Sequence, residues 1–264
     1  METYRKNVVV NYTYFLKDNS SLSELQKLLF KYSFLKTASY GVTINIHCNE
    51  NFKKLCEELE IVPDNFIPLE EDSTIDGKVF WAYHKIKVYD KQPIGEIHLD
   101  TDAVFKSFPV LDKKYSLQVA HADDPDYKIK NIFLPDGYDL PEYAKPNLIG
   151  LNMSSVCFHS QELKDLYCKN ALAFMQNNEV LFDNGWCHMV FIEQASLKQI
   201  CEYYNYSYKF FVDDTDYYHL GAIKNMLTEK EKNDLINKIK NPEQDLKLLN
   251  IFFDLIAQLV RALP

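Results

Sequence analysis

The chain has 264 residues, which is enough for one large α/β domain with or without a short helical appendix. Its formal net charge of −9 argues against a nucleic-acid-binding protein, because such a protein needs a basic face. With 7 glycines and no Gly-rich stretch, the chain cannot build a phosphate-binding loop of the Rossmann or Walker type.

Cysteine usage and hydropathy indicate a cytoplasmic protein. The six cysteines form no C-x-x-C pair and lie among apolar residues, as expected for reduced, buried thiols. The N-terminal segment has no apolar signal region, and no run approaches the roughly 18 apolar residues of a membrane span. We therefore expect a cytoplasmic location, no membrane span and no nucleic-acid partner.

Strand and helix patterns alternate along the first hundred residues. Strands are predicted at 7–15, 42–47, 65–70 and 93–100, and helices at 20–35, 50–60 and 78–90. Ser21 and Glu24 have the spacing of a capping box at the start of the first helix. The alternation predicts an α/β arrangement: a mostly parallel central sheet flanked by helices, with ligands bound at the carboxyl ends of the strands.

The second half begins irregularly and then resumes the alternation. Residues 112–146 are rich in Asp and Pro and predict an irregular segment with one strand at 127–134. Further strands are predicted at 147–155 and 208–213, and helices at 160–175 and 189–204. Thr228 and Glu231 form a second capping box. We expect one α/β domain over residues 1–226 and a C-terminal helical extension over 227–264.

Two carboxylates, Asp100 and Asp102, directly follow the predicted strand at 93–100. Carboxylates this close repel each other unless a cation neutralises them, and oxygen ligands suit Mg²⁺ or Mn²⁺. The same tripeptide, Asp-Thr-Asp, recurs at 214–216 in a polar turn. The tripeptide alone therefore fits either a metal site or a solvated turn capped by Asp.

The sequence around these acids resembles the core of GT-A-fold glycosyltransferases. Residues 81–105 read WAYHKIKVYDKQPIGEIHLDTDAVF, and in the family a Lys-bearing helix likewise leads into a strand that ends in a D-x-D motif. The resemblance implies that Asp100 and Asp102 bind a divalent metal, Mn²⁺ or Mg²⁺, which bridges the diphosphate of a nucleotide sugar. It also implies that Asp100 and Lys85 contact the donor.

Two further segments resemble family motifs in the expected order. The segment LNMSS resembles the strand and turn that line the sugar site, which implies that Asn152 contacts the donor, although no Gly follows it here. The segment FIEQA resembles the acidic D/E-Q element that opens a helix near the acceptor. That resemblance implies catalytic roles for Glu193 and Gln194.

A last segment, YYHLGAIKN, resembles the H-x-x-G-x-x-K-P motif of glycogenin-like and bacterial galactosyltransferase-like enzymes. The resemblance implies that His219 is a third metal ligand and that Gly221 and Lys224 contact the diphosphate. The spacing departs from the family pattern, since His219 precedes Gly221 by two residues rather than three and Asn225 replaces the Pro.

The implied function is a metal-dependent glycosyltransferase that moves a sugar from a nucleotide-diphosphate donor, with a UDP-sugar favoured, to an unknown hydroxyl acceptor such as a surface polysaccharide. The alternative is a catalytically degenerate protein that keeps a GT-A-like scaffold for binding or assembly. A nucleotidyltransferase shares paired acids and a parallel sheet but normally has a Gly-rich N-terminal loop, which residues 7–19 lack. We expect the apolar C-terminal helix predicted at 243–263 to pack either on the domain or against a second subunit, and the second case would give a homo-oligomer.

Overall fold

A computed structural model describes most of the chain. The described residues are 7–17, 20–72, 74–75, 80–122, 140–145, 149–177, 185–213, 215, 217–219, 228–230, 232–233 and 236. They fall into two compact units. The first takes its described residues from Met1–Pro68, Leu99–Pro109 and Thr215–Pro264, and the second from Leu69–His98 and Val110–Asp214.

The strands form two sheets among the described residues. The strands are β1 (Val9–Tyr14), β2 (Thr43–Cys48), β3 (Asn65–Pro68), β4 (Ile97–Leu99), β5 (Ala103–Phe105), β6 (Leu117–Ala122), β7 (Leu151–Phe158), β8 (Tyr208–Phe210) and β9 (Tyr217–His219). Seven of them form one sheet in the order β3-β2-β1-β4-β7-β6-β8, and β5 pairs with β9. The β1–β2, β2–β3 and β6–β8 pairs are parallel, whereas β6–β7 is antiparallel.

The helices are α1 (Glu24–Ala38), α2 (Glu50–Glu58), α3 (Tyr83–Lys91), α4 (Gln161–Asn177), α5 (Gly185–Val190) and α6 (Ser196–Tyr204). A π-helical turn, Phe191–Ala195, joins α5 to α6, and a 3₁₀ turn, Phe211–Asp213, follows β8. The predicted fold class, a mostly parallel central sheet flanked by helices, is confirmed. No helix within the described ranges is both long and apolar enough to cross a membrane.

The first unit is built around the parallel strands β1, β2 and β3. Tyr12 on β1 is fully buried, and its hydroxyl hydrogen-bonds the hydroxyls of Ser33 and Thr37 on α1 at 3.0 and 2.8 Å. Helix α1 begins at Glu24, whereas the sequence predicted a start at residue 20. The capping box is formed by Ser23 and Gln26, so the prediction of Ser21 with Glu24 was wrong.

The second unit has its own apolar core between α3, α4, α6 and the strands β6 and β7. A buried cation joins two of these helices, because Lys164 Nζ donates to the backbone carbonyl oxygens of Asp90 and Gln92 at 3.0 and 2.7 Å. Lysine near a helix C-terminus binds the carbonyls that lack helical partners and complements the helix dipole. Lys164 of α4 thereby holds the end of α3.

Several boundaries differ from the sequence prediction. Strand β6 lies within the segment predicted to be irregular, and the predicted helix at 189–204 is interrupted by the π-helical turn. The short strands β5 and β9 were not predicted. The predicted strand at 127–134 lies outside the described residues, and so does almost all of the extension at 227–264; the domain division therefore stays a prediction.

Candidate functional site

The two carboxylates of the D-x-D motif occupy a turn between β4 and β5. The backbone N–H of Ala103 donates to the carbonyl oxygen of Asp100 at 3.0 Å, which closes the turn. The Asp100 and Asp102 side chains keep 27% and 10% of their surface exposed. Both carboxylates are therefore partly withdrawn from water. Their mutual repulsion is screened less in this location than on an open surface.

Strand β9 brings a histidine to this turn. Residues Ala103 and His219 are directly opposite each other in the antiparallel β5–β9 pair. His219 Nε2 lies 3.4 Å from Asp102 Oδ1 and 4.0 Å from Asp100 Oδ2. The structure thus groups the three residues that the sequence proposed as metal ligands, and all three belong to the first unit.

Two buried or half-buried hydroxyls hold β5 in place beside the acids. Ser33 Oγ donates to the carbonyl oxygen of Ala103 at 2.6 Å, and Tyr40 Oη donates to that of Phe105 at 2.6 Å. Both donors come from α1 and the turn after it. These supports were missed by sequence reasoning, because no local pattern links residue 33 or 40 to a strand about 70 positions later.

The donor set offers the oxygen and nitrogen ligands that divalent cations take in proteins. Asp100, Asp102 and His219 each offer one ligand atom, and these atoms all lie within 4.8 Å of one another. Two ligands of one ion can be separated by up to twice the metal–ligand distance, about 4.2 Å for a distance of about 2.1 Å. The His219–Asp102 and His219–Asp100 separations of 3.4 and 4.0 Å fall within that limit.

Tyr14, at the end of β1, is close enough to Asp102 for the carboxylate charge to affect its pKa. Burial raises the pKa of the Tyr14 phenol, and the negative charge of Asp102 raises it further. Its ring stacks on Phe52 of α2, with the ring centroids 4.5 Å apart. Tyr14 therefore stays a neutral phenol beside the acids and adds no negative charge there.

The second unit holds a buried ion pair between two of the predicted site residues. Lys85 Nζ on α3 donates to Glu193 Oε1 in the π-helical turn at 2.6 Å, and the side chains are 11% and 8% exposed. Tyr167 Oη donates to the backbone carbonyl oxygen of Glu193 at 3.1 Å. Glu193 therefore lies in a single π-helical turn, a feature that is frequent at functional sites.

Gln194 follows Glu193 in the same turn, which packs tightly on the chain before β7. A Cβ atom added at Gly150 would lie 2.6 Å from the backbone carbon of Gln194 and 2.7 Å from the backbone nitrogen of Ala195. Glycine therefore permits this close approach. Asn152 lies two residues further on, in β7, and its Oδ1 accepts hydrogen bonds from the N–H and the hydroxyl of Ser154.

The remaining predicted site residues, Gly221 and Lys224, lie outside the described residues. The structure brings together Asp100, Asp102 and His219 in the first unit and Lys85 with Glu193 in the second. The roles predicted for all of these residues remain predictions.

No protein-family model matches the sequence, and no curated protein matches it. Solved structures resemble the fold at low identity. The glycosyltransferase GlyE of Streptococcus pneumoniae is similar at a TM-score of 0.40 and 10% identity, and the match covers 78% of this chain and 45% of GlyE. This chain thus spans less than half of that protein.

Two further structures are similar to a comparable degree. A 4-diphosphocytidyl-2C-methyl-D-erythritol synthase of Anaerococcus prevotii gives a TM-score of 0.38 at 10% identity, over 79% of this chain and 88% of that one. Core-mannan synthase A of Aspergillus fumigatus, in an Mn/GDP form, gives 0.39 at 11% identity, over 82% and 77%. Similarities at this level identify no family, so a functional assignment must rest on the site itself.

Proposed function

We propose that this protein is a metal-dependent glycosyltransferase that transfers a sugar from a nucleotide-diphosphate donor to a hydroxyl acceptor. The observation that carries the proposal is the Asp100–Asp102–His219 cluster. The ligand atoms of two partly buried carboxylates and one imidazole lie within 4.8 Å of one another, although His219 is more than a hundred residues away in the chain. The D-x-D spacing at the end of a strand supports the same function.

In this proposal, Asp100, Asp102 and His219 hold Mn²⁺ or Mg²⁺. The cation would supply charge neutralisation for the diphosphate that leaves as the sugar is transferred. The chain itself contributes a rigid frame, since the hydroxyls of Ser33 and Tyr40 fix β5 and therefore the backbone that carries Asp102. Metal ligands that are fixed before the reaction avoid the free-energy cost of reorganisation during it.

The other predicted residues take the following proposed roles. Lys224 supplies a positive charge to the diphosphate, and Gly221 allows the backbone to approach it. Glu193 and Gln194 orient the sugar or act on the acceptor, and Asn152 contacts the donor. Lys85 contacts the donor while it is paired with Glu193, so the carboxylate partly neutralises the positive charge that Lys85 presents to the donor.

The second candidate function is a non-catalytic binding or assembly protein with the same scaffold. The sequence features that favour it are the position of His219, which precedes Gly221 by two residues rather than three, and the lack of a Gly after Asn152. Such a protein retains the acids for structural reasons and does not bind a nucleotide in a metal-dependent way.

Thermal stability in the presence of nucleotides distinguishes the two candidates. UDP, GDP, CDP and ADP are each added with Mn²⁺ and with EDTA, and the unfolding temperature is followed. A ligand that binds only the folded state stabilises it by about 2.7 kcal/mol at a hundredfold its dissociation constant. Metal-dependent stabilisation by one nucleotide, UDP being expected, supports the glycosyltransferase and identifies the base. No response to any nucleotide supports the binding protein.

A further inference from the structure

Four tyrosines of the second unit form an aromatic group with two exposed members, and none of the four belongs to the sites above. We call Tyr143, Tyr203, Tyr204 and Tyr206 the tyrosine platform. The ring centroid of Tyr204 lies 4.9 Å from that of Tyr203, 6.3 Å from that of Tyr143 and 6.5 Å from that of Tyr206. Tyr203 and Tyr204 are 48% and 47% exposed, whereas Tyr143 is buried.

The end of α6 explains why these rings meet. The helix stops at Tyr204 because Asn205 adopts a left-handed conformation, with φ of 58°. Asparagine accepts this conformation more readily than most residues, and it commonly ends helices in this way. The N–H of Tyr206 then donates to the carbonyl oxygen of Cys201 at 2.9 Å, which turns the chain back beside the helix.

The segment that carries Tyr143 is fixed to the same helix. The Gln199 side chain on α6 accepts from the N–H of Lys145 at 2.7 Å and donates to the carbonyl oxygen of Lys145 at 3.1 Å. The N–H of Ala144 donates to the carbonyl oxygen of Pro141 at 2.8 Å and closes a turn around Tyr143. The platform is therefore assembled before any ligand arrives, which lowers the entropic cost of binding.

Two of the tyrosine hydroxyls are held by carboxylates. The Tyr203 hydroxyl hydrogen-bonds Glu142, and this bond is the main reason that the pKa of the phenol is raised. Burial, followed by the negative charge of Glu162 and a hydrogen bond to it, raises the pKa of Tyr206. A carboxylate has two acceptor oxygens, so each can hold a phenol and still accept from another hydroxyl group.

We infer that the tyrosine platform is a binding site for a neutral sugar chain, formed by residues other than those proposed to bind the metal. Half-exposed phenol rings offer flat apolar faces to the C–H faces of a sugar ring, and the flanking carboxylates accept hydrogen bonds from its hydroxyls. The negative charges of Glu142 and Glu162 repel phosphate-bearing ligands. Single-stranded nucleic acids, in particular, need a basic groove. Two half-exposed rings are also far smaller than the surface of about 1,000 Å² that a stable protein interface buries.

Calorimetric titration with cellohexaose, maltohexaose and mannohexaose tests this inference. The titrations contain EDTA and no nucleotide, so the result does not depend on the proposed transferase activity. We expect wild-type protein to bind at least one of the three, and Tyr204→Ala to weaken that binding about tenfold, equivalent to about 1.4 kcal/mol. Tyr204→Phe keeps the ring and should bind nearly as wild type.

Trp81→Ala is the matched control, because Trp81 is 52% exposed in the same unit but is not part of the platform. It should leave the affinity unchanged, and all variants should keep the wild-type unfolding temperature. The inference is overturned if the wild type binds none of the three sugars at millimolar concentration, or if Tyr204→Ala binds as well as wild type. It is also overturned if gel filtration shows a dimer that Tyr204→Ala dissociates, since the platform then contacts a second copy of the chain.

Discussion

Removing one partner of the buried ion pair between Lys85 and Glu193 should lower the free energy of unfolding substantially. The two side chains are 11% and 8% exposed and their charged atoms are 2.6 Å apart. Removing one partner of such a pair leaves an uncompensated buried charge, at a cost of about 3–5 kcal/mol. Because both groups retain a little contact with water, we expect Lys85→Met and Glu193→Met each to lose about 3 kcal/mol.

The double variant should behave differently. With both charges gone, two methionines of similar length fill the space, and replacements of this kind are often nearly neutral. We therefore expect Lys85→Met/Glu193→Met to be more stable than either single variant. The coupling energy from the double-mutant cycle should exceed about 2 kcal/mol, which is within the range for residues in direct contact.

Urea unfolding at pH 7, followed by circular dichroism, measures the four free energies. A double variant whose loss equals the sum of the two single losses would refute the reasoning, because it would mean that the two charges do not interact. The slope of the transition serves as a control, since an altered slope indicates a change in the unfolded state rather than in the pair.

Three further predictions concern the second unit. Gly150→Ala should destabilise by about 1–3 kcal/mol, measured by urea unfolding, since its Cβ would contact the backbone of the π-helical turn at 2.6 Å. Lys164→Met should cost about 2 kcal/mol by the same measurement, because two carbonyl groups at the end of α3 lose their cationic donor, while exposed Lys169→Met should cost little. Hydrogen bonds, chiefly from Thr74, lower the pKa of Asp72 to about 2, so its stabilisation is complete above the ordinary pKa of 3.8 and is lost as the pH falls through about 2. Thr74→Val should therefore reduce the loss of stability between pH 4 and pH 2 in urea titrations at each pH.

The sequence was informative where the apolar pattern was long and local. The alternation of strands and helices over the first hundred residues predicted the parallel sheet, and every predicted element there has a counterpart in the structure. The first helix shows the limit of such patterns. Ser21 with Glu24 and Ser23 with Gln26 both satisfy the capping spacing, and only the backbone geometry distinguishes them.

Strand β6 was missed for a physical reason. Its residues from Leu117 to Ala120 are all buried, so a polar residue within the strand does not mark a solvent-facing side as it would in a half-exposed strand. Gln118, a polar residue in its centre, is satisfied internally: its side chain accepts from the N–H of Asp112 and donates to the carbonyl oxygen of Val110. Such compensation depends on tertiary structure and leaves no signal in the local sequence.

Long-range pairing explains the rest of the difference. Lys85 and Glu193 are separated by 108 positions, and His219 reaches the acids through two strands of three residues each. Strands this short carry too few residues for a pattern to be recognised. The sequence could name the candidate residues by their type and order, whereas their grouping required the β5–β9 pair.

Binding of Mn²⁺ tests the central claim most directly. Electron paramagnetic resonance of free Mn²⁺, titrated with the protein in the absence of nucleotide, gives the number of sites and their affinity. We predict one site in the wild type, at least about tenfold weaker in Asp102→Asn and in His219→Ala, at unchanged unfolding temperature. Asp216→Asn, which alters the second Asp-Thr-Asp tripeptide, should bind as wild type. Equal Mn²⁺ affinity in wild type and Asp102→Asn, or a loss confined to Asp216→Asn, would contradict the assignment of Asp100, Asp102 and His219 as the metal site.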